Sequence, residues 1–187
     1  MVGRQMEGWD GDEYQQRFDR LAGSGTDVHG EADFVAALSP ASVLDAGCGS
    51  GRVARELARR GMDVVGVDPD RSMIETARRL APGLTWVLGD MAEVDLGRRF
   101  DVVVMAGNVP LFTPEGSRAG LVAGCGRHVA VHGSLVAGFQ LDRGYSVAEY
   151  DEHCARVGLV KTERWSTWAS EPFTAESGYS VSVHRAA

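Results

Sequence analysis

Short apolar runs alternate along this chain with segments whose apolar residues recur at helical spacing. The apolar runs predict strands at 42–45, 64–67, 85–88, 100–105 and 134–139. The helical spacing predicts helices at 52–60, 71–80, roughly 115–131 and 148–157. Because strands and helices alternate, the pattern predicts a parallel sheet with helices packed on it. Alternating residues at 160–168 and 179–185 then predict a closing antiparallel hairpin.

The segment before the first strand has a different pattern. Tyr14, Phe18 and Leu21 recur at helical spacing within a predicted helix at 12–21, and a short helix is predicted at 31–38. The total length of 187 residues suits one domain, because domains cluster at roughly 100 to 200 residues. We therefore expect a single domain over 1–187, made of a helical cap segment at 1–40 and a core at 41–187.

The most informative segment is V-L-D-A-G-C-G-S-G at 43–51, where an apolar strand runs into three closely spaced glycines. Gly47, Gly49 and Gly51 lack a Cβ, so the main chain can turn sharply and approach a ligand closely. The helix predicted behind them begins at Arg52 and offers free backbone N–H groups at its N-terminus. This arrangement predicts a cradle for a nucleotide or nucleoside.

The spacing of these glycines separates two classes of ligand. A dinucleotide loop reads G-x-G-x-x-G, whereas this one reads G-x-G-x-G and has Arg52 where the third glycine would be expected. Asp45 stands two residues before the first glycine. Its carboxylate would repel a pyrophosphate but can accept hydrogen bonds from an ammonium group. The residues therefore favour a ligand that carries a positive amine.

At this point the sequence resembles motif I of the class I S-adenosylmethionine-dependent methyltransferases, and the resemblance continues for about sixty residues. Asp68, at the end of the second strand and twenty-one residues after Gly47, matches the acid that binds the ribose hydroxyls in that family. Asp90 and Met91 match its adenine pocket. Ala106 and Asn108 follow the fourth strand, beside the expected position of the sulfonium.

The resemblance implies a Rossmann-like, doubly wound α/β fold with a mostly parallel sheet, helices on both faces and a C-terminal antiparallel hairpin. In small members of the family, residues before the first strand cover the cofactor, which is S-adenosylmethionine. The cofactor-binding residues implied for this chain are Tyr14, Asp45, Gly47, Gly49, Gly51, Asp68, Pro69, Met73, Asp90, Met91, Ala106 and Asn108.

Each of these signals also has a purely structural interpretation. Glycines often mark turns, and Asp68 could cap a helix that begins near Arg71. Met91 could pack in the core, Asn108 could be a loop residue, and Tyr14 could pack a helix on the sheet. Two functional alternatives also stay open, namely an S-adenosylmethionine-binding module without catalysis and an NAD-dependent oxidoreductase. The glycine spacing and the absence of a Tyr-x-x-x-Lys pair oppose the oxidoreductase.

Charge and composition restrict the partners. The net charge of −7 opposes binding to DNA, and the sequence after the fourth strand lacks the stacking aromatic found in methylases that act on base amino groups. No run approaches the roughly 18 apolar residues that a membrane span requires. The three cysteines are far apart and form no C-x-x-C motif, so no metal site is expected. We expect a cytoplasmic protein with a small-molecule acceptor.

The catalytic residues are not assigned by any motif. A sulfonium is already an activated leaving group, so the protein mainly needs to align the acceptor and exclude water. If a base is required, the candidates near the predicted crevice are His29, Asn108 and Tyr145, of which histidine is the natural proton acceptor near neutral pH. Cys48 lies in the glycine loop without a basic neighbour, which favours a packing role.

Overall fold

The structure is a computed structural model that describes residues 10–23 and 28–186, except for the side chains at positions 14, 17–19, 21 and 22. The strands are β1 (Ser42–Ala46), β2 (Asp63–Asp68), β3 (Thr85–Leu88), β4 (Phe100–Met105), β5 (Val129–Gln140), β6 (Leu159–Trp165) and β7 (Tyr179–Ala186). The helices are α1 (Gly11–Gly23), α2 (Gly30–Ala37), α3 (Arg52–Arg59), α4 (Arg71–Leu80), α5 (Val109–Phe112), α6 (Arg118–Arg127) and α7 (Val147–Arg156).

The seven strands form one mixed sheet in the order β3-β2-β1-β4-β5-β7-β6. Strands β1 to β5 are parallel to one another, while β7 pairs antiparallel with both β5 and β6. The chain therefore winds outward from β1 in both directions and closes with the antiparallel pair. This arrangement confirms the predicted Rossmann-like fold.

Alternation along the strands produces a hydrophobic core on each face of the sheet. On one face, strand residues such as Val43 and Val104 pack with buried residues of α2, α3 and α4. On the other face, residues such as Leu44 and Met105 pack with α6 and α7. Successive residues of one strand point to opposite faces, so near-continuous apolar strands are required for a sheet covered on both sides.

One stretch of the predicted secondary structure is wrong. The helix expected at roughly 115–131 is a short 3-10 turn at Glu115–Ser117 followed by α6, and β5 already begins at Val129. Apolar residues continue at helical spacing from Leu121 to Val129, but Val129 pairs with Phe100 of β4. Residues that local periodicity assigns to the helix are therefore part of the sheet. The hairpin is confirmed, although β6 ends at Trp165.

The first helix packs beside α4. The backbone N–H of Gly11 donates to Ser72 Oγ at 2.7 Å, and Thr76 Oγ1 donates to Asp12 Oδ1 at 2.6 Å. Arg79 forms an ion pair with the same Asp12 carboxylate. These contacts hold the start of α1 along α4. None of the helices in residues 10–23 and 28–186 has the length and apolar content that crossing a bilayer requires.

Candidate functional site

The carboxyl ends of the parallel strands bring most of the predicted site residues to one edge of the sheet. Asp45 lies beside Gly66 of β2 and Val104 of β4, and Asp68 lies beside Leu88 of β3. The loops that follow β1, β3 and β4 leave the sheet at this same edge. In open α/β sheets this edge is where ligands bind.

The glycine loop is fastened to the end of β2. The backbone N–H groups of Gly47 and Cys48 donate to the Val67 carbonyl at 2.8 and 3.0 Å. Gly47, Gly49 and Gly51 all have positive φ, at 78°, 54° and 81°. The left-handed region is unfavourable for residues with a Cβ, so the backbone itself requires glycine at these three positions.

Two of these glycines are also required by close neighbours. A Cβ on Gly47 would lie 2.6 Å from Val109 Cγ2, and a Cβ on Gly51 would lie 2.3 Å from the indole of Trp86. Trp86 is buried in β3 and donates from its indole nitrogen to the Ala81 carbonyl at 2.8 Å. Sequence reasoning missed this tryptophan, because its contact with the loop depends on the pairing of β2 with β3.

Asp45 is a buried carboxylate that keeps hydrogen-bonding capacity. It is 1% exposed, and Oδ2 accepts from the backbone N–H of Ala54 at 3.1 Å. Its other oxygen has no hydrogen-bond partner among the residues that the structure describes. Burial raises the pKa of Asp45 to about 7. A positive group placed beside this carboxylate would favour its ionised form.

Asp68 lies at the end of β2 with both oxygens directed to the backbone. Oδ2 accepts from Gly49 N–H and Oδ1 from Asp70 N–H, each at 2.8 Å. Burial raises the pKa of Asp68. The cap of α4 is Asp70, whose side chain accepts from the N–H groups of Ser72 and Met73. The interpretation of Asp68 as the helix cap is therefore wrong.

The other residues assigned around the nucleoside lie beside these carboxylates or next to β3. Pro69 is exposed and Met73 is buried in the first turn of α4. Asp90 is exposed just beyond β3, where Oδ1 accepts from the N–H of Ala92. Met91 is 3% exposed and belongs to the core cluster that contains residues of α6. The Met91 side chain therefore packs in the protein interior.

Asn108 joins the end of β4 to β5. It adopts a left-handed conformation with φ of 68°, its Oδ1 accepts from Gln140 N–H at 2.8 Å, and its own N–H donates to the Gly138 carbonyl at 3.2 Å. Ala106 is half-buried at the same edge. Helix α5 begins directly after Asn108, in a segment for which no helix was predicted. At this edge, where β4 and β5 end side by side, the polar groups of Asn108 are thus bonded to the backbone of β5. We call it the β4–β5 edge.

Two helices of the segment before β1 contact the glycine loop or the helix that follows it. Gln15 Oε1 of α1 accepts from Ser50 Oγ and from Arg55 Nη2, both at 2.9 Å. Glu31 of α2 forms a bidentate ion pair with Arg52 at 2.5 and 3.0 Å. Tyr14 belongs to α1, but its side chain is outside the described part of the chain.

The three candidate bases differ in accessibility. His29 is exposed at the N-terminus of α2. Tyr145 is 1% exposed, contacts His153 Nδ1 through its hydroxyl at 2.7 Å, and has a pKa that burial raises. Asn108 Oδ1 already accepts a hydrogen bond from the backbone N–H of Gln140. The structure therefore keeps the Tyr145 hydroxyl away from solvent and leaves His29 as the accessible imidazole.

Arg118 connects helix α5 with the loop after β5 near this edge. Its guanidinium donates to the Pro110 carbonyl at 3.2 Å and to the Gly144 carbonyl at 2.6 Å, and it lies 4.8 Å from the centre of the Tyr145 ring. Pro110 belongs to α5, and Gly144 lies in the loop after β5. Sequence reasoning missed Arg118 because its partners are backbone atoms that no side-chain motif reveals.

Comparison with known proteins supports the same interpretation. The family description "Methyltransferase domain" matches residues 43–133. The structure resembles a TehB-like SAM-dependent methyltransferase from Corynebacterium glutamicum, with 36% identity, a TM-score of 0.89, and coverage of 95% of this chain and 98% of that one. The chain belongs to the S-adenosylmethionine-dependent methyltransferases. This membership, together with the glycine spacing, decides against the NAD-dependent oxidoreductase.

Two curated relatives are named for the reactions that they catalyse. The chain is 32% identical over 158 residues to the dTDP-3-amino-3,6-dideoxy-alpha-D-glucopyranose N,N-dimethyltransferase of Streptomyces fradiae, with 81% of this chain and 52% of the relative covered. It is 49% identical over 72 residues to the magnesium-protoporphyrin O-methyltransferase of Rhodobacter capsulatus, with 36% and 32% covered. The matches thus span about half and about a third of these relatives.

Proposed function

We propose that this chain binds S-adenosylmethionine at the carboxyl ends of β1 to β4 and transfers its methyl group to a small-molecule acceptor. The proposal depends most on Asp45, a buried carboxylate with one oxygen unpartnered among the described residues. Such a group is costly to ionise unless a positive partner reaches it. The α-ammonium of the methionine part of the cofactor is a suitable partner.

Asp68 is suited to the ribose. Each of its oxygens accepts one backbone N–H, and a carboxylate oxygen has a second lone pair that a ribose hydroxyl can use. The two backbone bonds also fix the carboxylate in one orientation. In this proposal Pro69, Met73, Asp90 and Met91 border the nucleoside, while Gly47, Gly49, Gly51, Ala106 and Asn108 border the methionine part.

The helical cap segment completes the proposed site. Its helix α1 contacts the glycine loop through Gln15 and packs beside α4 through Asp12. In this position α1 can shield one side of a cofactor bound at the glycine loop. Covering the site excludes water from the transfer step.

When bound, S-adenosylmethionine supplies an activated methyl group on a sulfonium. The chain then has to orient the acceptor and remove a proton only where the acceptor atom carries one that must leave. His29 is the accessible candidate for the base that accepts that proton, because Tyr145 is buried and its hydroxyl is hydrogen-bonded to His153. An amine acceptor that arrives unprotonated needs no such base for the transfer itself.

Two observations favour a small acceptor over a nucleic acid. The curated relatives are named for a nucleotide-linked amino sugar and for a magnesium porphyrin. The net charge of −7 gives an overall field that repels a polyanion. An amine or hydroxyl of a small metabolite is therefore the proposed class of acceptor.

The test combines binding with turnover. Calorimetry is expected to detect binding of S-adenosylmethionine and of S-adenosylhomocysteine, but not of NADH. Radiolabelled methyl transfer is then measured with panels of small amines, phenols and amino sugars, with ribosomal RNA as the macromolecular comparison. Binding without transfer to any acceptor would favour the non-catalytic module. Binding of NADH without S-adenosylmethionine would contradict the proposal.

A further inference from the structure

A second cleft lies away from the proposed cofactor site, between α2 and the end of β6. Its volume is about 400 Å³, and Phe34 and Leu38 of α2 form one wall. Glu163 and Trp165 of β6, with Trp168 of the following loop, form the other wall. We call this the indole cleft. It contains none of the residues assigned to the cofactor.

The charge in the indole cleft is not balanced by the protein. Glu163 is half-buried, and no basic side chain of the described residues lies within ion-pair distance of it. The nearby basic residues of β6, Lys161 and Arg164, both pair with Asp151 of α7. The Glu163 carboxylate instead accepts a long hydrogen bond of 3.4 Å from the indole N–H of Trp165.

The second acidic residue of the cleft has a different environment. Asp33 of α2 forms an ion pair with Arg60 at 2.6 Å, and 56% of its side chain is exposed. Its charge is therefore already compensated at the rim. Glu163 is the uncompensated negative group that a ligand would meet.

The tryptophan wall is held in place from several sides. Trp168 makes an edge contact with Phe34, with ring centres 5.6 Å apart, and its indole N–H donates to the Tyr179 hydroxyl at 3.2 Å. A Cβ on Gly138 of β5 would lie 2.3 Å from the Trp168 ring, so the absence of a side chain there makes room for the indole. The wall is thus preformed in the described structure.

We propose that the indole cleft binds a small organic cation, of the alkylated or quaternary ammonium class. A cation over an indole face is attracted by the ring quadrupole, and tryptophan is the strongest aromatic partner for such groups. The half-buried Glu163 supplies the matching charge, while Phe34 and Leu38 accept the apolar body of the ligand. An anion would be repelled, and a neutral apolar molecule would leave Glu163 without compensation.

The experiment uses the full chain and choline as the probe. Calorimetric titrations compare choline chloride with 3,3-dimethylbutan-1-ol, a neutral molecule of nearly the same shape, at constant ionic strength. We expect saturable binding of choline with a dissociation constant in the range of about 0.1 to 10 mM, and binding of the neutral analogue at least about tenfold weaker. Equal affinity for the two molecules, or no saturable choline binding, would overturn the proposal.

Variants locate the binding within the molecule. Glu163→Gln removes the charge with little change of shape, and Trp165→Leu removes one indole; each is expected to weaken choline binding by about five- to twentyfold. Glu176→Gln, an exposed carboxylate in the same connection between β6 and β7, is the matched control and is expected to change affinity by less than about twofold.

Asp68→Ala separates this cleft from the proposed cofactor site. It is expected to leave choline affinity unchanged, because the cleft contains no residue of that site. Loss of choline binding in folded Asp68→Ala, or equal effects of Glu163→Gln and Glu176→Gln, would contradict binding in the indole cleft. Thermal unfolding of each variant shows whether it is folded.

Discussion

The two ends of the proposed site use their polar groups differently. At the β1–β2 edge, Asp45 and Asp68 are held by backbone N–H groups and can still accept further hydrogen bonds. At the β4–β5 edge, Asn108 already bonds to the backbone of Gly138 and Gln140. The first edge offers hydrogen-bond acceptors in fixed positions, which suits a polar ligand with donors at matching positions. The polar groups of the second edge are already bonded to one another, so this edge mainly supplies shape.

The largest effect is expected at Asp68. Asp68→Ala removes a carboxylate proposed to accept hydrogen bonds from two ribose hydroxyls. Charge-assisted bonds contribute ~1.5 to 3 kcal/mol, so the affinity for S-adenosylmethionine should fall roughly ten- to a hundredfold. Calorimetry at constant pH measures this change.

Asp70→Ala is the matched control for that experiment. Asp70 is two residues away and caps α4, so its loss should lower the free energy of unfolding by about 1 kcal/mol while affinity changes by less than about twofold. An Asp68→Ala variant that loses stability but retains its affinity would assign Asp68 to the fold alone.

The next effect is a pH dependence that comes from Asp45. Its pKa is about 7 in the folded protein, and a bound ammonium group requires the ionised carboxylate. Affinity for S-adenosylmethionine should therefore rise about tenfold between about pH 6 and about pH 8. Asp45→Asn should abolish most of this slope. A slope that persists in Asp45→Asn would assign the titration to another group.

Asp45 is expected to affect stability in the opposite direction: raising the pH favours cofactor binding but destabilises the ligand-free fold. Because folding raises the pKa of Asp45 well above the usual range of an aspartate, its contribution favours the folded state at low pH and is lost as the pH rises through about 7. The ligand-free Asp45→Asn variant should consequently be more stable than the parent at about pH 8, by on the order of 1 to 3 kcal/mol. Chemical denaturation measures the difference.

At the β4–β5 edge, smaller effects on binding are expected. Asn108→Gly keeps the left-handed backbone but removes the bond to Gln140, while Asn108→Ala also strains the backbone at φ of 68°. Both should lower turnover by about three- to tenfold and change cofactor affinity by less than about twofold, and the alanine variant should be less stable by about 1 kcal/mol. A tenfold loss of affinity in both variants would show that the Asn108 side chain binds the cofactor directly.

The smallest effect is expected at the contact between α1 and the glycine loop. Gln15→Ala removes an acceptor for Ser50 and Arg55, and should weaken cofactor binding by about two- to threefold without preventing folding. Gln16→Ala, at an exposed position on the same helix, is the control and should have no effect. Equal behaviour of the two variants would argue against a role for α1 at the site.

At both edges the sequence indicated the residues set by local structure and missed those that act through tertiary packing. Asp45, the three glycines and Asp68 are set by local turns and strand ends, which leave a pattern in the chain. Arg118 acts through the carbonyls of Pro110 and Gly144, and Trp86 acts through a neighbouring strand. Such contacts depend on tertiary packing and carry no local signature.

The same distinction explains the error at the start of β5. Val129 continues the apolar spacing of α6, so local periodicity extends the helix through it. Only its pairing with Phe100, twenty-nine residues earlier, identifies it as a strand residue. Strand positions that depend on distant partners are therefore the least predictable part of this fold.

Arg118 has a consequence for how this protein can be redesigned. One side chain fixes both α5 and the loop after β5, so neither segment can be remodelled alone. A change of structure introduced in one segment would be transmitted to the other through the shared guanidinium. Libraries that remodel this edge should therefore vary residues 109–112 and 141–146 together and keep Arg118, which bonds to both segments.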